Sequence, residues 1–401
     1  MSHGATRSYP YGALLAQAVG YASPRYGTSG LEAAFDGVLT AHTDATDPLG
    51  QLVQIVAGAH AAPRGADLVT TIDLHVQETL VSDLARYPRA AGVVLDPHTG
   101  AVLALASVPS YDPNRLESLW PRLVDAPSSP LLDRATDGLY PPGSTFKIVT
   151  VSDALDSGAV TPQSTFYDPG YFTIGNATIH DDEEEMTGEQ TVTGAFALSS
   201  NVDFAQIALK LGVDRWFDYA ARWGLGQSVD FDLPVARDRI PPKADVYPGV
   251  LAQLGFGQAS LLVTPMRMAL VGATIANDGV TPRPYLVRRI AGRDTGIAAR
   301  PETLAQPISA DTAHEVRDMM IAVVRHGTGT AAQLPGVTVA GKTGTATNPH
   351  GRSHAWFVAF APAENPRVAV AVVVENVGYG GTYAAPIARD VLRVALARTR
   401  K

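Results

Sequence analysis

The chain contains no cysteine and very little lysine. The absence of cysteine excludes disulfides, zinc–thiolate sites and a thiol nucleophile. Five of the 31 basic residues are lysines, namely Lys147, Lys210, Lys243, Lys342 and Lys401. A codon bias toward arginine would explain this ratio. However, a lysine amine can lose its proton when it is desolvated or near another cation, whereas arginine cannot at usable pH. Lys147 and Lys342 are therefore the lysines to consider for proton transfer.

Long apolar runs and basic blocks are also missing. No window reaches the roughly 18 apolar residues of a membrane helix, and residues 1–7 do not resemble a signal peptide, so we expect this chain to be soluble. A net charge of -8 argues against a nucleic-acid partner. The acidic run at 181–185 favours a solvated loop over a metal site, and we predict no cofactor and no metal. With 46% hydrophobic and 17% charged residues, the chain is typical of a globular protein.

Hydrophobic periodicity and turn residues predict the order of the elements. A hairpin is predicted from strands at 91–96 and 101–107. Three later strands are predicted at 337–340, 354–361 and 367–375, and a final helix at 384–398. This order predicts an α+β fold with one antiparallel five-stranded sheet, covered by helices, and an inserted all-helical lobe at about 160–290. A small N-terminal piece (1–65) is expected to precede the main domain (66–401).

A serine and a lysine follow a proline pair in the sequence Pro141-Pro142-Gly143-Ser144-Thr145-Phe146-Lys147. Two prolines and a glycine cannot continue a helix, and the apolar pattern after them predicts a helix at 144–156. Ser144 would lie in its first turn, where free N–H groups and the helix dipole favour negative charge. Lys147, three residues on, would share its helix face. Taken alone, this Ser-x-x-Lys spacing is a weak signal.

Two further segments carry candidate polar residues. Ser199-Ser200-Asn201 stands before a predicted helix at 204–211, and on spacing alone an N-cap is the favoured explanation. Lys342-Thr343-Gly344-Thr345 follows the strand predicted at 337–340. In the predicted layout, these segments and Ser144 converge on a cleft between the sheet edge and the helical lobe.

Residues 336–343 also fit the phosphate-loop pattern G-x-x-x-x-G-K-[ST]. That loop needs a strand before its first glycine and a helix that opens at the lysine. Here Leu334-Pro335 come before, and the β-branched residues lie between the two glycines. We therefore reject a nucleotide-binding interpretation.

With these three motifs in order, the chain resembles the penicillin-binding proteins and serine β-lactamases. It is most similar to the class B penicillin-binding proteins, which are monofunctional D,D-transpeptidases, and among them to the actinobacterial PbpA-like branch. The supporting segments span nearly the whole chain, namely 140–147, 257–258, 264–265, 276–279, 327–329 and 354–357. Residues 7–10 and 30–32 resemble the end of that family's pedestal domain, so an N-terminally truncated form is expected.

The resemblance implies a role for each motif residue. Ser144 would attack the penultimate D-alanine of a D-Ala-D-Ala stem peptide, and Lys147 would take its proton, with Lys342 as the second cation that favours a neutral amine. Ser199 would relay the proton to the leaving amine, and Asn201 would hold the substrate amide. The substrate's terminal carboxylate would bind to Lys342, Thr343 and Thr345. Gly344 would let the edge of the strand come close to the substrate. The backbone N–H groups of Ser144 and Thr345 would form the oxyanion hole.

The resemblance also implies the setting. The partners would be peptidoglycan stem peptides, β-lactam antibiotics and, through the missing part of the pedestal, the cell-wall synthesis machinery. The location would be the cell-wall side of the plasma membrane, with a membrane anchor in a full-length form. Trp356, Phe357 and His354 are expected to be structural.

Three alternative functions share the acylation step, namely a serine β-lactamase, a D,D-carboxypeptidase and a non-catalytic β-lactam-binding protein. The tetrad Ser-Thr-Phe-Lys also occurs in class D β-lactamases. Against a β-lactamase, the chain has no Tyr-Gly-Asn, its second motif ends in Asn201 rather than valine, and it is long for a free β-lactamase. Transpeptidase and carboxypeptidase differ only in the acceptor, which the motifs do not separate.

Overall fold

A five-stranded antiparallel sheet is the centre of the computed structural model, which describes residues 7–40, 65–181, 186–291, 298–349 and 351–398. We number strands and helices along the described chain. The sheet strands, in the order in which they lie side by side, are β13 (Ala340–Ala346), β14 (His354–Ala361), β15 (Val368–Val374), β4 (Ala90–Leu95) and β5 (Val102–Val108). The prediction that an early hairpin and three late strands form one sheet is confirmed.

Both faces of the sheet are covered, which explains the unbroken apolar runs in β4 and β15. The helices are α1 (Ala16–Val19), α2 (Gly30–Ala34), α3 (Asp36–Leu39), α4 (Leu74–Leu84), α5 (Leu116–Asp125), α6 (Lys147–Asp156), α7 (Val192–Leu198), α8 (Asn201–Leu211), α9 (Val213–Arg222), α10 (Pro248–Leu254), α11 (Pro265–Ala276), α12 (Ala310–His326) and α13 (Gly380–Arg398). Helices α4 and α13 pack on one face, and α11 packs on the other.

The inserted lobe is not all-helical, and that part of the prediction is wrong. Within it, β6 (Thr165–Asp168) pairs with β9 (Gly188–Thr191), and β7 (Tyr171–Ile174) pairs with β8 (Ala177–His180). Aromatic and β-branched residues dominate β7, a composition that favours strands over helices. The other short strands are β1 (Ala22–Ser23), β2 (Gly27–Thr28), β3 (Asp67–Thr70), β10 (Thr281–Pro282), β11 (Val287–Ala291) and β12 (Thr303–Ala305).

Two boundaries near the candidate motifs differ from the prediction. The helix predicted from Ser144 begins as a 3-10 turn, Gly143–Phe146, and becomes α6 at Lys147. The late strand predicted at 337–340 is displaced to β13, so that Lys342-Thr343-Gly344 lies within the strand. Pairing with β14 continues through Gly341 and Gly344, although glycine alone disfavours a strand. Pairing with β14 therefore outweighs the low strand propensity of the two glycines in β13.

The described N-terminal residues pack against the main domain. Tyr26 stacks on Trp120 of α5 with ring centroids 4.2 Å apart, and the Gln77 side chain on α4 donates to the Leu14 carbonyl at 2.9 Å. β3 adds a short pairing with β11. Among the described residues, no helix has both the length and the apolar character needed to span a bilayer.

The segment that leads to Ser144 is fixed by a half-buried carboxylate, Glu375. Its Oε1 accepts from Tyr140 Oη at 2.8 Å and from Arg134 Nε at 2.9 Å, and its Oε2 lies 3.0 Å from Arg89 Nε. Trp356 Nε1 donates to the Pro141 carbonyl at 3.1 Å. The backbone just before Ser144 is thus held to the end of the sheet.

Replacing Glu375 by alanine should lower the free energy of unfolding by about 3–5 kcal/mol, because the buried Arg134 guanidinium loses its charged partner. Urea denaturation measures this change. The matched control is Glu315→Ala, at an exposed position on α12, which should change the free energy of unfolding by less than about 0.5 kcal/mol. Equal, small effects of both substitutions would show that Glu375 does not stabilise this end of the sheet.

Candidate active site

Ser144 lies in the 3-10 turn at the mouth of a cleft. Gly143 before it has a φ of 53°, a conformation that glycine adopts without strain, and Thr145 Oγ1 donates to the Pro142 carbonyl at 2.7 Å. Ser144 itself is 6% exposed. The cleft has a volume of about 560 Å³ and is lined by Ser144, Asp181, Thr187, Leu198, Ser199, Ser200, Thr328, Thr330, Thr343, Thr345, Tyr379, Gly380, Gly381 and Thr382.

Lys147 points its amine at the second motif. Its Nζ donates to Asn201 Oδ1 at 2.9 Å, to Ser199 Oγ at 3.3 Å and to the Ser199 carbonyl. The side chain is fully buried, and Nζ lies 5.3 Å from the centre of the Phe204 ring. A buried amine with neutral oxygen partners and an aromatic face is well placed to exchange a proton.

Ser199 lies between the two candidate lysines. Lys342 Nζ donates to Ser199 Oγ at 2.8 Å, so this hydroxyl contacts both amines. Ser199 ends α7 in the left-handed region, with φ 67° and ψ 33°, which costs a non-glycine residue roughly 1 kcal/mol or more. The strained backbone turns both the hydroxyl and the carbonyl of Ser199 toward Lys147.

The N-cap interpretation applies to the middle residue of the second motif and leaves Ser199 and Asn201 as the candidate site residues. Ser200 is the N-cap of α8, since its Oγ accepts from the Asp203 N–H at 3.0 Å. Asn201, the first residue of α8, donates from Nδ2 to the His180 carbonyl at 3.1 Å, while its Oδ1 accepts from Lys147. The cap thereby orients the residues on either side of it.

Strand β13 contributes the third motif from the open edge of the sheet. Thr343 and Thr345 line the cleft, and Thr343 Oγ1 lies 2.6 Å from Thr328 Oγ1. The backbone of β13 runs close to the Ser144 turn, because a Cβ on Gly143 would lie 2.6 Å from the Thr345 carbonyl oxygen. The turn and the strand edge are therefore in direct contact.

Gly344 has a different reason to be glycine than we expected. A Cβ there would lie 2.9 Å from Thr145 Cγ2, 3.0 Å from the Pro142 carbonyl oxygen and 3.0 Å from Trp356 Cβ. The missing side chain makes room for the turn that carries Ser144. The family resemblance implies that this space belongs to the substrate, but Gly344 is not among the residues that line the cleft.

Three aspartates behind the second motif were missed by the sequence analysis. The acidic run was predicted to be solvated, but Asp181 at its start is half-buried and its Oδ1 accepts from the N–H groups of Asn201 and Val202. Residues 182–185 of that run lie outside the described residues. Burial, followed by a hydrogen bond with Asp168, raises the pKa of Asp181 to about 7. Burial and then the charge of Asp168 raise the pKa of Asp203 to about 6.

No local signal marks these aspartates. Asp181 lies 20 residues from its backbone partner Asn201, so neither spacing nor periodicity connects them. Phe196 and Phe204 were likewise visible only as core residues, yet their rings face the amines of Lys342 and Lys147. Thr328 could have been found, because the segment 327–329 belongs to the family resemblance.

A second cavity of about 460 Å³ continues from the cleft. It shares Thr345 with the cleft and is also lined by Asn201, and its remaining lining is mostly uncharged, with Asn176, Gln253 and Gln258 among its members.

Trp356 and Phe357 are fully buried, and His354 Nδ1 accepts from the Asn376 N–H at 3.2 Å. These contacts agree with the structural roles expected for the three residues.

The arrangement brings together a hydroxyl at a turn, two amines that contact one shared hydroxyl, and the edge of a strand. Such a set can activate a serine, stabilise an acyl intermediate and return a proton to a leaving group. As the layout predicted, one region is surrounded by the candidate residues Ser144, Lys147, Ser199, Asn201, Lys342, Thr343 and Thr345.

Comparison with known proteins points to the same chemistry. Residues 90–393 match the penicillin binding protein transpeptidase domain, and residues 2–68 match the penicillin binding protein A dimerisation domain. The peptidoglycan D,D-transpeptidase PbpA of Mycolicibacterium smegmatis is 36% identical, covering 97% of this chain and 84% of that protein.

Two solved structures are similar over almost the whole chain. The ceftriaxone acyl-enzyme complex of penicillin-binding protein A from M. tuberculosis has a TM-score of 0.89 at 33% identity, with 97% of this chain and 92% of that chain covered. The D,D-transpeptidase domain of a peptidoglycan glycosyltransferase from Eggerthella lenta has a TM-score of 0.88 at 36% identity, with 98% and 93% covered.

Substituting Gly344 by alanine should displace the Ser144 turn, because the added Cβ would press on Thr145 and Pro142. We expect the free energy of unfolding to fall by about 1–3 kcal/mol. We also expect Ser144 to react with a penicillin about 10- to 100-fold more slowly, as a small misplacement of a reacting group has that cost.

Gly194→Ala on α7 is the matched control. Its Cβ would meet the flexible end of the Gln190 side chain, which can move away, so we expect reactivity within about threefold of the parent chain. If Gly344→Ala reacted as fast as the control, close contact between β13 and the turn would not be what places Ser144.

Proposed function

This chain belongs to the class B penicillin-binding protein transpeptidase family, and we propose that it is a peptidoglycan D,D-transpeptidase whose nucleophile is Ser144. One observation carries the assignment of the site. The Ser199 hydroxyl contacts the amines of both Lys147 and Lys342. Ser199 and Ser144 line the same cleft. Residues from three distant parts of the chain thus form a single proton-transfer unit.

In the first half-reaction, Ser144 Oγ attacks the carbonyl carbon of the penultimate D-alanine. A C–O bond to the enzyme forms, the peptide bond to the terminal D-alanine breaks, and that D-alanine leaves with a proton on its amine. In the second half-reaction, an amine from a neighbouring stem peptide attacks the ester, which forms the cross-link and returns the proton to Ser144. A β-lactam undergoes only the first step, in which its ring amide bond opens.

Lys147 takes the Ser144 proton, and Ser199 passes it to the departing amine. The contacts in the cleft support this order, since Lys147 Nζ is 3.3 Å from Ser199 Oγ, and Lys342 Nζ is 2.8 Å from the same oxygen. Two ammonium groups around one hydroxyl are unfavourable, so Lys342 favours the neutral, basic form of Lys147. The Asn201 amide, held by Lys147 and the His180 carbonyl, positions the substrate amide.

The substrate's terminal carboxylate binds where Lys342, Thr343 and Thr345 meet the cleft. The negative oxygen that develops in the transition state accepts from the backbone N–H groups of Ser144 and Thr345, whose chain segments are in contact. Removing one such donor typically costs about 100- to 1000-fold in rate. Gly344 contributes indirectly, by letting the strand approach the turn.

The domain assignment follows the same family. We assign residues 1–65 to part of a pedestal domain and 66–401 to the transpeptidase domain. Cross-linking of peptidoglycan places the enzyme on the cell-wall side of the membrane, and the pedestal is the surface through which other cell-wall enzymes would bind. Stem peptides and β-lactams are the ligands of the cleft.

A coloured cephalosporin and a stem peptide ending in D-Ala-D-Ala together separate the alternatives. We expect a burst of about one equivalent of opened cephalosporin followed by a stall, because the acyl-enzyme of a transpeptidase resists water. With the stem peptide and an amine acceptor, we expect release of D-alanine and a cross-linked product.

Ser144→Ala should abolish both the burst and D-alanine release, whereas Ser228→Ala, at an exposed position, should leave them unchanged. Sustained cephalosporin turnover would identify a β-lactamase instead. Hydrolysis of the stem peptide without a cross-link would identify a carboxypeptidase. A burst without D-alanine release would identify a non-catalytic binding protein.

A further inference from the structure

The first turn of α8, which presents Asn201 to the cleft, is anchored by a carboxyl group from outside the helix. Asp181 Oδ1 accepts from the N–H groups of Asn201 and Val202, the latter at 3.3 Å. The preceding residue, His180, accepts from the Asn201 side chain. Consecutive residues at the end of β8 therefore hold both the backbone and the amide of Asn201. Asp181 also lines the cleft with Ser144.

The second oxygen of Asp181, Oδ2, is buried and has no donor partner. A hydrogen bond between Asp181 and Asp168 raises the pKa of Asp181 and lowers that of Asp168. Two carboxyl groups can hydrogen-bond only if one is protonated. Asp168 already accepts from the Gly170 N–H at 2.7 Å, Thr187 Oγ1 at 2.8 Å and Ser200 Oγ at 3.2 Å, so it is the better anion. The proton therefore resides on Asp181.

The pKa values agree with this geometry. Burial alone would raise the pKa of Asp168, but the hydrogen bonds from Asp181, Gly170, Thr187 and Ser200 bring it below the ordinary value. The pKa of Asp181 rises to about 7, first through burial and then through Asp168. The pair thus exchanges its proton with solvent close to neutral pH.

We propose that Asp181 is a positioning residue that holds Asn201 and the charge state of Lys147, and that the proton it shares with Asp168 sets the pH range in which it does so. This inference rests on the proposed transpeptidase function. Among the described residues, no three acidic or histidine side chains are arranged to hold a metal ion, so a shared proton is the simplest bridge between the two carboxyl groups.

The charged groups around Asp181 determine the direction of the effect. Asp168 faces it from β6 and Lys147 faces it from α6, while Asp203 on α8 interacts with Asp168 and Lys147. Lys342 lies beyond, on the far side of Ser199. Loss of the shared proton adds a second negative charge beside Lys147, which favours the ammonium form that cannot accept the Ser144 proton. It also sets two carboxylates against each other at the anchor of α8.

The Asp181→Asn substitution tests whether the proton shared with Asp168 sets the pH range of acylation. Its amide oxygen keeps the acceptor for Asn201 and Val202, and its amide nitrogen can donate to Asp168, so the variant imitates the protonated state at every pH. We expect its rate constant for acylation by a penicillin to match the parent within about threefold at pH 6. At pH 8.5 we expect it to exceed the parent about 3- to 10-fold, the size of effect expected from one partly screened charge near Lys147.

The Asp181→Ala substitution tests whether the hydrogen bonds from Asn201 and Val202 to Asp181 hold the first turn of α8 in place. This variant loses the acceptor for the first turn of α8, and we expect acylation to fall about 10- to 100-fold across the pH range. Circular dichroism and the thermal midpoint establish that the variant is folded. Asp311→Asn, at an exposed position on α12, is the matched control and should follow the parent pH profile.

Infrared spectra give a readout that is independent of activity. In the difference between the spectra of the parent chain and of Asp181→Asn, a protonated carboxyl should titrate near pH 7. The signal of Asp133, whose pKa burial also raises to about 7, cancels in this difference because both chains contain it. The proposal is overturned if that carboxyl is not observed, or if both Asp181 variants reproduce the parent profile. It is also overturned if chelator abolishes acylation and a divalent cation restores it, because a cation would then bridge the carboxylates. A parent chain that is never acylated would instead refute the proposed function itself.

Discussion

The contact of two lysine amines with one serine hydroxyl is the constraint on which the rest of the cleft depends. Lys147 and Lys342 are both fully buried, and burying a charged amine is costly unless polar groups replace the lost water. The structure supplies those groups locally, as the Asn201 amide, the Ser199 and Thr343 carbonyls and two aromatic faces. Ser199 adopts a left-handed conformation to take part, so strain is concentrated at the residue that joins the two lysines.

Close backbone packing brings the third participant, Ser144, to the same place. The turn before α6 touches the edge strand β13, and Gly143 and Gly344 each lack the side chain that would separate them. On the other side of the turn, Tyr140 donates a hydrogen bond to the half-buried Glu375. The sheet edge therefore positions Ser144, the proposed nucleophile, while the inserted lobe contributes Ser199 and Asn201. The motifs lie far apart in sequence because they belong to different parts of the fold, the sheet with its adjoining turn and the inserted lobe.

Much of this arrangement could be predicted from the sequence, and the exceptions have physical causes. The proline pair, the Ser144–Lys147 spacing and the apolar runs of the sheet are local signals, and each led to the right element. The convergence of Ser199, Asn201 and Lys342 on Ser144 was expected from the predicted layout, and the resemblance to a family supplied the role of each residue. Local patterns failed where partners are distant, as for Asp181 and Asn201, and where pairing overrides propensity, as for the glycine-containing strand β13 and the short hairpins of the lobe.

Peptide mass spectrometry after exposure to a penicillin tests the central claim most directly. Trypsin separates the two candidate hydroxyls, because Ser144 is the only serine in residues 135–147, whereas Ser199 lies in residues 148–210. We expect one penicilloyl adduct per chain, on the peptide 135–147 and at Ser144. An adduct on the peptide 148–210, or none in a folded chain, would contradict it.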